Sequence, residues 1–262
     1  MEVNVVGVGV TGFATAEVLR RLGHQVRVRD NNPERQAQMG ELGYQSLIDG
    51  VGEATFFCVP EWHVRSALDS TTAGGLWIIR STTSPGYVRA FQDTYGRHIL
   101  HLPEFLREAT ALQDALQPDR MIIGQCCPAH GEMVADLFAP LMCQMLRVDP
   151  TTSEMIKLVS NAHLSTLISF WNEIHQICER SQVNSTIVGR GVSMDHRISS
   201  YGAMMHGKPF GGFCLPKDLN SLIECARLSS FQPALLESVH EVNKRLAALP
   251  GSPAVSHEKV HI

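Results

Sequence analysis

Val3-Asn4-Val5-Val6-Gly7-Val8-Gly9-Val10-Thr11-Gly12 reads as a short β-branched strand running into a Gly-x-Gly-x-x-Gly turn. A helical pattern follows from Phe13 to Leu22, stopped by Gly23, and a second strand, Gln25 to Arg29, ends in Asp30. Alone, a glycine fingerprint is a weak signal; here it lies between strand and helix, with an acid roughly twenty residues further on. Gly7 permits the tight turn, Gly9 lets a pyrophosphate approach the backbone, and Gly12 lets helix and strand pack closely. The pyrophosphate would lie on the N-terminus of that helix. Asp30 would accept from a ribose 2′-hydroxyl and repel a 2′-phosphate, which favours NAD over NADP. The bland alternative is a glycine turn in an α/β domain with no ligand.

Outward from that unit the alternation continues. Ala54 to Val59 reads as a strand ending at Pro60, Leu76 to Arg80 as the next, and Ile99 to Leu102 as another. Met121 to Gly124, a helix from about Pro128 to Met142, and Gln144 to Val148 close the layer. Short apolar runs separated by helical patterns predict a mostly parallel, Rossmann-like sheet covered on both faces. Ser81-Thr82-Thr83-Ser84-Pro85-Gly86 follows a strand's carboxyl end, where open α/β sheets bind ligands; its hydroxyls could equally cap the helix starting near Pro85.

From about Thr151 the pattern becomes one long helix, about 45 Å by the usual rise, ending near Ser181. Met155, Leu158, Val159, Ala162, Leu167, Ile168, Trp171 and Ile174 put apolar groups on too many of its faces for a surface helix, which predicts a spine or a dimer seam. Lys157 and Asn161 share a face. A lysine on a buried helix is paired or functional, or else it snorkels to solvent. His163 and His175 show no metal-ligand spacing. Residues 202–212 read as a loop, a helix runs to about Leu228, and a last one spans 233–249. The expected organisation is therefore an NAD-binding domain over 1–149, an all-helical domain built on the long helix over 150–249, and a disordered polar tail over 250–262.

The chain has 262 residues, 44% hydrophobic and 18% charged, with a net charge of −4. Those are the proportions of an ordinary globular protein with no electrostatic footprint for nucleic acid. Seven cysteines, with Cys126 and Cys127 adjacent and no Cys-x-x-Cys pair, suggest reduced thiols. With no signal-like start and no apolar run of membrane-spanning length, a cytoplasmic location is expected.

Gly211-Gly212-Phe213-Cys214-Leu215-Pro216-Lys217-Asp218 carries the second chemical signal. Proline is tolerated in a first helical turn, so Cys214 would sit at the positive end of a helix dipole, where a thiolate is stabilised. Asp218 follows one turn on. A buried structural thiol beside a glycine turn fits these eight residues as well.

Together these segments resemble the UDP-glucose/GDP-mannose dehydrogenase family. The resemblance rests on Ser81-Thr82 with Pro85-Gly86, on Pro103-Glu104-Phe105-Leu106-Arg107-Glu108, and on Pro118-Asp119-Arg120. It continues through Lys157 to Glu173, Arg197-Ile198, and Phe210 to Asp218. It implies an NAD-dependent enzyme that oxidises a primary alcohol to a carboxylate, with Cys214 forming a thiohemiacetal and then a thioester. In that scheme Lys157 and Asn161 stabilise an oxyanion, Asp218 acts with Lys157 and a water in proton transfer, and Thr82 helps hold that water. Glu104 and Glu108 match the acids linked to thioester hydrolysis and to positioning the lysine. The resemblance places Gly7, Gly9, Val10, Thr11, Gly12, Asp30, Val59, Pro60, Ser81, Thr82, Glu108 and Lys217 around the cofactor. It places Phe105, Leu106, Arg107, Lys157, Asn161, Arg197, Phe210, Gly211 and Gly212 around the substrate, with Arg197 reaching across a homodimer built on the long helix. No metal is implied.

The sequence departs from that family in two ways. It stops where a nucleotide-gripping α/β domain is expected, and His206-Gly207-Lys208-Pro209 and Phe213 replace more usual loop residues. An atypical substrate is therefore expected, either an alcohol smaller than a sugar nucleotide or a nucleotide held by fewer contacts. A two-electron hydroxy-acid or alcohol dehydrogenase and a non-catalytic NAD-binding partner subunit remain as alternatives.

Overall fold

The computed structural model describes residues 1–72, 74–212 and 214–249; the tail expected at 250–262 and Phe213 lie outside them. The chain divides into two compact units, the first over Met1–Lys157 and the second beginning at Leu158.

The first unit alternates strands and helices in the expected order. Its elements are β1 (Glu2–Val6), α1 (Val10–Arg21), β2 (Gln25–Arg29), α2 (Pro33–Glu41), β3 (Gln45–Ser46), β4 (Ala54–Phe57), α3 (Glu61–Asp69) and β5 (Leu76–Ile79). Then come α4 (Tyr87–Tyr95), β6 (Ile99–His101), α5 (Ala111–Leu116), β7 (Arg120–Gly124), α6 (Pro128–Phe138), β8 (Gln144–Val148) and the start of α7 (Pro150–Arg180). The eight strands form one sheet in the order β3-β2-β1-β4-β5-β6-β7-β8. All pairings are parallel except β6 with β7, which meet antiparallel through His101 opposite Gly124. The two-residue β3 has no counterpart in the sequence reading, because Gln45 and Ser46 are polar, exposed and carry no alternation.

Strand periodicity builds two cores. Val3, Val5, Phe56, Ile78 and Leu100 point to the face covered by Leu19, Val134 and Phe138, while Phe57, Trp77, Ile79 and Ile99 point to the face covered by Val64, Leu68, Val88 and Phe91. Burial on both faces explains why the strands read as continuous apolar runs. The strand order reverses between β1 and β4, so the turn after β1 opens at the topological switch point. That turn is sterically closed to side chains at two places. Gly7 has a φ of +85°, and a Cβ on Gly12 would stand 1.8 Å from the Gly7 carbonyl oxygen. The helix consequently starts at Val10 rather than Phe13, tucked against the strand it follows.

The second unit contains α7 from Leu158 onward with α8 (Ser185–Val192), α9 (Tyr201–Met204), α10 (Cys214–Leu228) and α11 (Ala234–Ala247). Its core gathers Ala162, Ile168, Phe210, Leu219, Ile223 and Val239. The segment expected to be a loop over 202–212 instead begins with the short α9, where Gly202 and Ala203 are buried. No helix among the described residues is long and apolar enough to cross a membrane.

Gly12→Ala is expected to destabilise the chain by about 2 kcal/mol or more, the scale of overpacking against atoms that cannot move aside. Urea unfolding of the variant beside the parent measures it.

Candidate active site

Around the glycine turn, the backbone is held by the acid that the spacing singled out. Asp30 accepts from the Val8 N–H at 2.7 Å and from the Asn32 N–H at 2.8 Å. The start of α1 at Gly9, Val10, Thr11 and Gly12 has no side-chain cap and no acid in its first turn, which leaves N–H groups facing outward. Above Gly9 the only atom near a built Cβ is Arg35 Nη1 at 3.7 Å, so the turn is an open cradle with a guanidinium on its rim. An anion such as the pyrophosphate of NAD fits that donor set. Ser81 donates to the Val59 carbonyl at 2.5 Å, tying together the carboxyl ends of β5 and β4, with Pro60 leading into α3.

The first turns of α7 dock onto the sheet through polar groups. Glu154 accepts from Gly86 N–H at 2.6 Å, Val88 N–H at 2.9 Å and the Thr83 hydroxyl at 2.9 Å. The cap of α4 is therefore this distant carboxylate, and none of the helix's own hydroxyls caps it. Thr82, half-buried, lies beside Thr83 in the same turn. Burial raises the Glu154 carboxyl above its ordinary value, against the pull of its three donors. Next to it His101 is fully buried, with Nε2 3.1 Å from the Ser81 carbonyl and Nδ1 2.9 Å from the Ser153 hydroxyl. A carbonyl can only accept, so Nε2 carries the proton and Ser153 donates to Nδ1. Burial pushes the His101 pKa down to about 3, aided by the charges of Lys157 and Arg80 and opposed by its bond to Ser81.

Lys157, 3% exposed, meets Glu104 at 3.4 Å, with its Nζ 5.3 Å from the Phe105 ring centre. Arg120 covers the same ring at 4.2 Å. The other Glu104 oxygen accepts from Leu106 N–H at 2.7 Å, which fixes the carboxylate. The buried lysine is thus paired and does not snorkel. Glu108 is exposed at the start of a short 3-10 turn, and Arg107 is turned onto Asp114 at 2.6 Å, holding that carboxyl well below its usual range. The structure brings Glu104, and not Glu108, to the lysine.

Within the second unit, Asn161 donates to Asp218 at 2.5 Å, and the other Asp218 oxygen lies 2.7 Å from Lys217 Nζ. Asp218 is fully buried one turn into α10; Cys214 is exposed at its first position, where the helix dipole favours a thiolate. The preceding Gly211 and Gly212 follow Phe210, whose backbone N–H and carbonyl are both held by the Asn243 side chain. Arg197 lies apart, exposed and paired with Asp195. The sequence reading did not single out Arg35, His101, Ser153, Glu154 or Asn243 as functional. Each is one ordinary polar residue, given meaning only by a partner distant in sequence. Nor does any spacing announce the group His98, Cys126, Cys127 and His130, which comes together at the amino end of β6.

Residues 64–142 match the profile described as UDP-glucose/GDP-mannose dehydrogenase family, NAD binding domain, and residues 151–245 match the central domain of the same family. The chain belongs to that family. Its NAD-binding fold is the family's, and NAD is the cofactor this domain takes. The UDP-glucose 6-dehydrogenase YwqF of Bacillus subtilis is 39% identical over 147 residues, covering 56% of this chain and 33% of that protein. The UDP-glucose 6-dehydrogenase of Rickettsia conorii is 28% identical over 291 residues, covering 94% of this chain and 67% of the relative. The chain thus matches about a third to two thirds of these relatives' lengths. A UDP-glucose dehydrogenase structure from Pyrobaculum islandicum superposes with a TM-score of 0.84 at 25% identity, over 93% of this chain and 68% of the other.

Between pH 6.5 and about 3 the unfolded chain takes up a proton at His101 that the folded chain refuses, so stability falls as pH falls through that window. The slope from this group is at most about 1.4 kcal/mol per pH unit. Chemical denaturation at pH 7, 6 and 5 should show the loss, and His101→Gln should remove that part of the pH dependence.

Proposed function

We propose that this chain is an NAD-dependent oxidoreductase that converts a primary alcohol into a carboxylate through Cys214. The observation that carries the reading is an exposed thiol at the first position of α10, one turn from a buried Asp218 bonded to Asn161. Bound NAD would rest on Gly7, Gly9 and Gly12 with Asp30, and would accept one hydride in each of two oxidations. The Cys214 sulfur adds to the aldehyde, giving a thiohemiacetal; loss of the second hydride leaves a thioester, and water releases the acid and the thiol. One alcohol, two NAD and one water yield one carboxylate, two NADH and three protons.

Asn161 and Lys157, one turn apart on α7, stabilise the oxyanion, an effect that is large when the donors are already in place. Asp218 and Lys157 take the alcohol proton through a water that Thr82 helps to hold, and Glu104 positions the lysine. Substrate groups are assigned to Phe105, Leu106, Phe210, Gly211 and Gly212. The relatives are named for sugar nucleotides, so a primary alcohol on such a compound is the first substrate to test. A panel of free and nucleotide-linked primary alcohols, read as NADH, separates it from a smaller alcohol.

We further propose a homodimer built on α7. Met155, Val159, Phe170 and Ile177 form an exposed apolar stripe on this helix, while Ser153, Lys157, Asn161, Ser165, Ser169 and Asn172 are buried on another face. The buried faces also carry Leu158, Ala162, Ile168 and Trp171, so the exposed stripe is apolar surface left over for a second copy.

Cys214→Ser is expected to abolish acid formation while NAD binding by calorimetry stays unchanged, and the parent should release two NADH per acid. Unchanged turnover in the variant, or one NADH per product, would sink the thioester route. Phe170→Glu should shift the mass measured by light scattering from dimer toward monomer.

A further inference from the structure

Four side chains that the proposed chemistry does not use converge at the amino end of β6, on the far side of the strand from Glu104. His98 precedes β6, Cys126 and Cys127 follow β7, and His130 lies in the first turn of α6. One ligand atom from each, two sulfurs and two ring nitrogens, lies within 4.8 Å of all the others. His130 Nδ1 is 3.2 Å from the sulfur of Cys126 and 3.2 Å from that of Cys127, and the two imidazole rings are 4.5 Å apart between centres.

The topology accounts for this meeting. β6 and β7 run antiparallel with His101 opposite Gly124, so continuing the register three residues brings His98 opposite Cys127. Cys127 is the N-cap of α6, and Pro128 sets the helix direction that turns His130 back over both sulfurs.

We propose that His98, Cys126, Cys127 and His130 form a structural zinc site. Two thiolates and two imidazoles are a tetrahedral donor set for Zn(II), with bonds of about 2.3 Å to sulfur and about 2.0 Å to nitrogen and ligand atoms then roughly 3.3–3.8 Å apart. The two 3.2 Å separations already lie near that spacing. His98 is exposed, while the other three are half-buried. No carboxylate belongs to the group, so a hard cation such as magnesium or calcium is not its ligand. On binding, the two thiols lose their protons and the metal takes their place. The site would bind the β7–α6 turn to the start of β6, across the one antiparallel joint in the sheet, which a single residue pair bridges.

The experiment is a titration of the tag-free, reduced full chain with Co(II) and then Zn(II). One equivalent of Co(II) should produce thiolate charge-transfer bands with the visible bands of a tetrahedral ion, and zinc should displace it. Zinc should also raise Tm by roughly several degrees. Cys127→Ser and His130→Ala should lose these bands, His98→Ala should weaken binding roughly tenfold or more, and Cys214→Ser should keep them. Because His98 is exposed, its variant tests the site even if the cysteine variants misfold. The proposal is overturned by absence of a saturable band or by bands that survive Cys127→Ser and vanish in Cys214→Ser. Unchanged affinity in His98→Ala, or a Cys126–Cys127 disulfide found by mass spectrometry in the freshly purified chain, overturns it equally.

Discussion

Glu154 takes three hydrogen bonds from one short stretch, the Thr83 hydroxyl and the N–H groups of Gly86 and Val88, and it is completely buried while doing so. A carboxylate in that position is costly unless every lone pair is engaged. Here it meets the positive end of α4, where the helix's own residues supply no cap. The penalty for any other docking of α7 is therefore an unsatisfied buried acid and a bare helix start. With Glu154 placed, helical geometry brings Ser153 to His101 and, one turn later, Lys157 to Glu104. The first half of the proposed chemistry thus depends on a residue that would never touch a substrate.

The same economy appears in the second unit. Asp218, buried one turn after Cys214 on α10, has one oxygen on Asn161 and the other near Lys217. Such pairs do little for net stability, since desolvation offsets much of the attraction, but removing one partner leaves a buried charge alone. In the proposed reaction they would hold donors and acceptors in place before a substrate arrives. The backbone of Phe210, gripped from both sides by Asn243, fixes the approach to α10 in the same manner.

The sheet has one irregular joint. Every strand pair is parallel except β6 with β7, where the ladder shrinks to His101 opposite Gly124. His101 serves that joint on one side, bonded to Ser81 and Ser153 and kept neutral by burial, and the cysteine–histidine group lies at the other end of β6. Polar groups concentrate where regular pairing stops, because the backbone there no longer holds the elements in register.

Much of the architecture was legible in the residues. The turn from Gly7 to Gly12, the acid at Asp30, the apolar strands and the long helix each depend on φ preferences or periodicities within a few neighbours, which a linear string records. Lys157 and Asn161 on one helix face and Cys214 at a helix start were legible for the same reason. The alternative that hydroxyls of residues 81–86 cap α4 and the loop expected over 202–212 fared differently, and the grouping of His98 with two thiols and His130 went unread. Glu154 caps α4, a short helix buries Gly202, and His98 joins Cys126, Cys127 and His130. Each of these turns on strand register or on helix docking over tens of residues, and such distances carry no periodic signature. What the sequence determined by itself was the order of the main strands and helices and the family they belong to. Which acid meets the lysine, which carboxylate caps the helix and which thiols meet imidazoles were decided only when buried polar groups had to find partners in three dimensions.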